Sequence, residues 1–259
     1  MPTPEIRQVE DAEQLSTAAA EECSRIMRVA IGRQGRCTFV LSGGSTPRRL
    51  YELLAAPPQR DQIDWTRVDL FWGDERAVPP DHKDSNFRMA NEALLQPLSI
   101  PATRIHRMPA ERADRDRAAA DYQAEIARVF DVPADGVPPA FDLVLLGLGP
   151  DGHTASLFPR TAALNETRRW VVPNHVPQLG TDRLTMTRVI LNRAACIMFL
   201  VAGADKAAAL AEVLEGPAES ERLPAQLIRP ETGRLVWLMD GAAAARLKTS
   251  TGTVVSYAQ

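Results

Sequence analysis

The chain has 259 residues and a formal net charge of −3, with 45% hydrophobic and 24% charged residues. That near-average balance gives no electrostatic ground for nucleic acid or an anionic membrane as partner, so an anionic ligand needs a locally built positive site. The length suits one large α/β domain or two small ones. No repeat or linker divides it, which favours a single domain over 1–259.

The pattern predicts helix over Asp11–Ile31, strand over Cys37–Leu41, helix over Pro47–Leu54 and strand over Val68–Trp72. Helices follow over Asn86–Leu95 and Asp114–Phe130, then strands over Leu143–Leu146 and Ile197–Ala202. An alanine-rich helix over Asp205–Leu214 and a strand over Leu235–Met239 complete the series. Ala55–Asp64, Pro109–Asp116 and Gly216–Pro224 read as surface loops. The strands are almost continuously apolar, as expected of strands covered on both faces. Alternation with helices then gives an α/β fold: a three-layer α/β/α sandwich around a Rossmann-like, mostly parallel sheet.

Cys23, Cys37 and Cys196 are far apart and lack metal-ligand spacing, so they read as buried thiols in a reducing compartment. Met1–Asp11 is polar without a signal-peptide core, and no run approaches the roughly 18 apolar residues of a membrane span. The expectation is a cytoplasmic protein with no membrane partner.

In an open parallel sheet, ligands bind outside the carboxyl ends of the strands. Here those ends lead into Ser42-Gly43-Gly44-Ser45-Thr46-Pro47, Gly73-Asp74-Glu75-Arg76, Gly147 to His153, and Gly203-Ala204-Asp205-Lys206. One sheet edge thus collects glycine, hydroxyl, acid, base and cation. Gly43 to Pro47 offers backbone N–H groups and hydroxyls at a helix start, the chemistry of a phosphate seat. The plainer alternative is a turn capped by Ser45 or Thr46. Lys206 opposes its own helix dipole unless an anion lies nearby. Arg76 offers a bidentate fork for phosphate or carboxylate, or a local ion pair with Asp74 or Glu75.

Gly147 to Gly152 spells G-x-G-x-x-G, yet it lies past mid-chain, Pro159 curtails any following helix, and no acid stands about 20 residues on. A dinucleotide cradle is therefore excluded. A P-loop is excluded because His153 replaces the lysine. What remains is a tight turn presenting one imidazole, suited to proton transfer near neutrality, with Asp151 to orient it. His82, His106 and His175 sit in polar segments and read as surface residues; no histidine spacing supports a metal site. No nucleophile elbow or cysteine with a placed base is present, so general-base activation of water is the simplest chemistry.

These residues resemble the 6-phosphogluconolactonase family. The likeness runs through Leu41 to Pro47, Trp72 to Arg76, Asp84-Ser85-Asn86-Phe87, Gly147 to Pro159, Arg183-Leu184-Thr185-Met186-Thr187 and Gly203 to Lys206. The resemblance implies hydrolysis of 6-phospho-D-glucono-1,5-lactone in the oxidative pentose phosphate pathway, on the sandwich fold, without cofactor or metal. It implies His153 as the base and Asp151 as its support, with Arg76, Lys206 and Gly43-Gly44-Ser45-Thr46 at the 6-phosphate. It also places Asp74, Asn86 and Arg183 at the ligand, and Gly152 and its neighbours as N–H donors to the oxyanion. The implied partner is the sugar-phosphate lactone alone, with a monomer or weak homo-oligomer.

The related glucosamine-6-phosphate deaminases share the turn but place glutamate before the proline and tyrosine after Asp-Glu, where this chain has Phe158 and Arg76. A non-catalytic sugar-phosphate sensor is a further alternative, though no helix-turn-helix is evident.

Overall fold

The computed structural model describes residues 3–248; residues 1–2 and 249–259, which the single-domain expectation also spans, lie outside the described residues. The chain begins with strand β1 (Glu5–Val9), helix α1 (Ala12–Gln34), β2 (Cys37–Leu41), α2 (Ser45–Leu54) and the single turn α3 (Gln59–Gln62). Next come β3 (Val68–Trp72), β4 (Asp74–Arg76), α4 (Asn86–Ala90), β5 (Ile105–His106) and α5 (Arg115–Phe130). The second half supplies β6 (Leu143–Gly147), β7 (Val171–Val176), β8 (Thr181–Met186) and α6 (Arg188–Leu191). It closes with β9 (Cys196–Val201), α7 (Ala207–Glu215), β10 (Arg234–Asp240) and α8 (Gly241–Ala244).

Seven strands form one sheet in the order β1-β10-β9-β6-β2-β3-β5, and every recorded pairing in it is parallel. The continuous apolar runs behave as the sequence demands. All residues of β2 and β3 are buried, and their side chains alternate between two cores. Cys37, Phe39 and Leu41 of β2 join Val68, Leu70 and Trp72 of β3 under α1 and α2. Val40 and Phe71 point the other way, into a core shared with α5, α7 and α8. This is the three-layer sandwich expected.

Local signals set the helix ends. Asp11 caps α1 by accepting from the N–H groups of Glu13 and Gln14, and Gly35 closes it at φ 79°. Asp114 caps α5 in the same way, accepting from Arg117 N–H. The α4 helix runs on into a π turn over Asn91–Leu95, so the helical reading of that stretch holds with a change of pitch.

The main departure is a second sheet, β4-β8-β7, which is antiparallel and absent from the sequence expectation. It folds over the α5 side of the molecule, with Leu184, Met186, Val171 and Val172 in the same core as α5. Its strands carry Pro173, Asn174 and charged residues, so they lack the apolar runs that mark strands of the main sheet.

Strand β2 pairs with β3 on one side and β6 on the other, so the chain winds outward in both directions from this pair. Loops leaving β2 and β6 therefore diverge at their carboxyl ends. That divergence opens a crevice, the general ligand position of doubly wound sheets.

Candidate active site

A cleft of about 380 Å³ occupies that crevice. The four loops expected to converge do so: Ser42–Pro47, Asp74 and Arg76, Gly147–Pro150 with His153, and Asp205–Lys206 all line it. Asn86 of α4 joins them, as do Ala155, Leu200 and Val201 at the end of β9 and Ala202 just beyond it, which the sequence did not single out.

The first loop is pinned from behind. Ser42 N–H donates to the hydroxyl of buried Tyr51 on α2, and that hydroxyl donates back to Ser42 O, each at 2.9 Å. Gly44 then takes φ 110° and stands at the N-cap of α2, where no side chain caps the helix. The expected alternative, a turn capped by Ser45 or Thr46, is not what forms. The first-turn N–H groups of α2 are left to face the cleft, where helix dipole and donors both favour an anion. Lys206 borders the same cleft and pairs with Asp205 at 2.9 Å.

The second loop is built on buried acids. Glu75 accepts from Ser85 Oγ and from the N–H groups of Arg76, Asn86 and Phe87, so it ties β4 to the start of α4. Burial pushes its carboxyl pKa up, against those hydrogen bonds. Asp74 accepts from Ser156 Oγ at 2.6 Å and from Asn86 Nδ2 at 3.4 Å. Asn86 in turn packs its Oδ1 against Gly43; a methyl there would lie 1.9 Å from that oxygen. Glycine at 43 is thus a packing requirement that links the two loops.

The third loop carries the histidine. His153 Nδ1 lies 2.6 Å from Asp151 Oδ1, a direct contact. Burial acts to raise the Asp151 pKa, but the hydrogen bond and charge of His153 outweigh it and hold the carboxyl below its ordinary range. An ionised Asp151 accepts only, so Nδ1 carries the hydrogen and Nε2 is the free, basic nitrogen. Among the described residues Nε2 has no partner. The imidazole also stacks on Phe158, centroids 4.0 Å apart and 22° from parallel.

The turn admits this pair only because of glycine. A methyl on Gly149 would fall 2.0 Å from His153 Nδ1 and 2.7 Å from Asp151 Oδ1. Gly152 has φ 80°, and a methyl there would meet Leu223 Cδ2 at 2.6 Å. Ala155 and Arg160, neither of them glycine, also take left-handed φ values of 46° and 59°, so the segment around Phe158 holds strain.

Three expected residues sit away from the cleft lining. Asp151 touches it only through His153. Arg183, on β8, faces a neighbouring chamber instead. Gly152 is buried behind the turn, and its N–H donates to Gly149 O at 3.0 Å. The N–H of Gly149 donates to His153 O, and that of His153 to Asp151 Oδ1. The donors expected for an oxyanion at this turn are therefore engaged in holding the turn itself.

His106, read as a surface residue, is buried: its Nδ1 meets Glu125 at 2.7 Å and its Nε2 meets Asp69 at 3.3 Å. His82 and His175 remain accessible, beside Asp84 and Asp182. Ser156, Phe158 and Gly149 also shape the site; all three stand in the glycine-rich stretch, but their residue types alone do not mark them as functional.

The sequence profile described as Glucosamine-6-phosphate isomerases/6-phosphogluconolactonase matches residues 10–237. The chain belongs to this family. It is 47% identical over 219 residues to a 6-phosphogluconolactonase of Synechocystis sp., covering 85% of this chain and 88% of that protein. It is 37% identical over 253 residues to a 6-phosphogluconolactonase of Streptomyces coelicolor, covering 96% of each. Among solved structures, the 6-phosphogluconolactonase of Trypanosoma cruzi superposes with a TM-score of 0.84 at 28% identity, over 95% of this chain and 98% of that one.

Proposed function

We propose that this protein hydrolyses 6-phospho-D-glucono-1,5-lactone to 6-phosphogluconate, the lactonase step of the oxidative pentose phosphate pathway. The observation that carries the reading is the Asp151–His153 pair, set with one free imidazole nitrogen across a cleft from an uncapped helix N-terminus and Lys206. The family relationship supplies the substrate.

The proposed chemistry uses only this chain's side chains and water. His153 Nε2 takes a proton from a water molecule as that water adds to the lactone carbonyl, and Nδ1–H to Asp151 stabilises the imidazolium that forms. Collapse of the tetrahedral intermediate breaks the bond from C1 to the ring oxygen. The imidazolium returns its proton to that oxygen, giving the open-chain acid. The 6-phosphate rests on the N–H groups and hydroxyls of Ser45 and Thr46, with Lys206 and Arg76 supplying charge. Asp74 and Asn86 order the cleft wall between the phosphate seat and the histidine. Phe158 covers one face of the imidazole where an isomerase of this superfamily would place a carboxylate, so ring-opening proton transfer is the weaker reading.

Acid release from freshly made 6-phosphogluconolactone, measured against its spontaneous rate, tests the proposal. The expected result is acceleration of the phosphorylated lactone with little effect on the unphosphorylated one. A folded protein that accelerates neither would overturn the lactonase reading. A compartment in the cytoplasm and a single catalytic domain complete the proposal.

A further inference from the structure

Arg76 and Arg183 stand directly opposite each other on the antiparallel strands β4 and β8. Cross-strand neighbours on one face lie within contact range, and like charges so placed destabilise the pair. Among the described residues neither arginine has a carboxylate within ion-pair distance; the hydrogen bond recorded for the Arg76 side chain runs from Nη1 to the backbone oxygen of Asp84, at 2.7 Å. Among the described residues the Arg183 side chain has no hydrogen-bond partner, and its Nε is buried without one. Burial and the charge of Arg76 push its pKa down, against longer-range attraction from Asp74, Glu75 and Asp84.

The two guanidinium groups border a chamber of about 490 Å³ beside the cleft, where Arg115 at the start of α5 and Thr181 form further walls. Arg115 has an unpartnered buried Nε as well. Of the chamber's two acids, Asp182 pairs with Arg115 at 3.3 Å and with His175, and Asp84 lies toward His82, so neither forms an ion pair with Arg76 or Arg183. Positive charge therefore exceeds what the surrounding protein answers.

We infer that this chamber is a second anion site, distinct from the substrate's phosphate seat, and that it takes a small phosphate-class oxyanion between Arg183, Arg76 and Arg115. A tetrahedral dianion accepts from several N–H groups at once and removes the repulsion between the facing arginines. Arg76 lines the chamber and the cleft alike. An anion drawn to one side competes for the same guanidinium, so occupancy of chamber and cleft is coupled, and the coupling is reciprocal. Anion binding itself holds or fails apart from the lactonase reading; only the comparison with lactone KM rests on that reading.

Inorganic phosphate is the probe, titrated by calorimetry and by thermal melting. In Lys206→Gln, which weakens the cleft seat, one phosphate still binds, and adding Arg183→Gln weakens that binding at least about 10-fold, the loss expected of one charge-assisted anchor. Arg183→Gln alone melts no lower than the parent in phosphate-free buffer, because it removes a repulsion, and gains less from added phosphate. Arg115→Gln weakens the phosphate site while leaving the KM for the lactone unchanged, and covers the case in which Arg183→Gln does not fold. Acetate, a monoanion, stabilises less than phosphate at equal ionic strength. Loss of all phosphate binding in Lys206→Gln alone overturns the second site. So does a rise in lactone KM in Arg183→Gln that tracks the lost phosphate binding, which would make the chamber the substrate's own seat.

Discussion

His153 and His106 are both bonded through Nδ1 to a carboxylate and both lie against a phenylalanine ring. His153 meets Asp151 at 2.6 Å under Phe158, and His106 meets Glu125 at 2.7 Å against Phe71, whose centroid is 4.5 Å away. The difference is the other nitrogen. In His106 it faces Asp69, itself held by Arg104, and the whole ring is buried, so both nitrogens are engaged and neither faces open solvent. In His153 the other nitrogen is free at the edge of an open cleft. The same pair of groups thus ties an edge strand to a helix in one place and offers a base in the other. What distinguishes them is access, not composition.

The sharpest way to break this comparison is to remove each ring in turn. His153→Ala is expected to lower kcat by about 10²- to 10⁴-fold, the range for loss of a general base, with little change in melting temperature. Steady-state kinetics beside thermal unfolding checks this; near-normal kcat in the folded variant withdraws the base assignment. His106→Ala should do the reverse. It leaves buried Asp69 and half-covered Glu125 without their shared partner and costs about 3 kcal/mol of stability, with kcat retained. Denaturant unfolding reads that loss, and a catalytic defect without destabilisation would mean that the two sites are not separable.

A smaller effect tests the turn. Gly149→Ala places a methyl on top of Nδ1 and should lower kcat by about 10-fold or more, since sub-ångström misplacement of a catalytic group is costly. Gly147→Ala is its control, because a methyl at Gly147 meets nothing within 4 Å. Equal activity in the two variants would show that the crowding relaxes without moving the imidazole. Smaller still is Phe158→Leu. A stacked aromatic pair is worth about 0.5–1.5 kcal/mol beyond its buried area, so kcat should fall by roughly 2- to 10-fold and Phe158→Tyr should restore it. If the leucine variant matches the parent across the pH–rate profile, the ring only fills space.

How much of this was legible beforehand follows the range of the interactions. The βα loops could be read because glycine, proline and histidine act within a few residues of themselves, and because the strands before them are uniformly apolar. Strands β1, β7 and β8 could not. EIRQV, VVPNHV and TDRLTM are edge or one-sided strands whose exposed positions are polar, and Pro173 reads as a breaker. The burial of His106 is hidden for a related reason: its neighbours Ile105 and Arg107 say nothing of Asp69 and Glu125, which lie 37 and 19 residues away. For Arg183 the sequence offers only a motif, and its confrontation with Arg76 exists only through strand register. The N–H groups at Gly152 looked available because the turn's internal hydrogen bonds cannot be counted from sequence.

The finest test of the contrast between the two sites is acid stability. Burial works to raise the Asp69 pKa, yet hydrogen bonds and charge from His106 and Arg104 prevail and leave it below the ordinary value. A carboxylate whose folded pKa is depressed contributes stability that is present above its unfolded pKa and lost as pH falls through the folded one. Asp151 is depressed in the same direction, but its side chain is 44% exposed, so solvent screens much of that contribution. Unfolding free energy measured from pH 6 downward should therefore fall most steeply below the unfolded value, near pH 4. Asp69→Asn should flatten that limb, whereas Asp151→Asn should leave its slope nearly unchanged while still depressing kcat. Equal flattening by both variants would mean that the cleft pair is structural as well, and that access does not separate the two histidines after all.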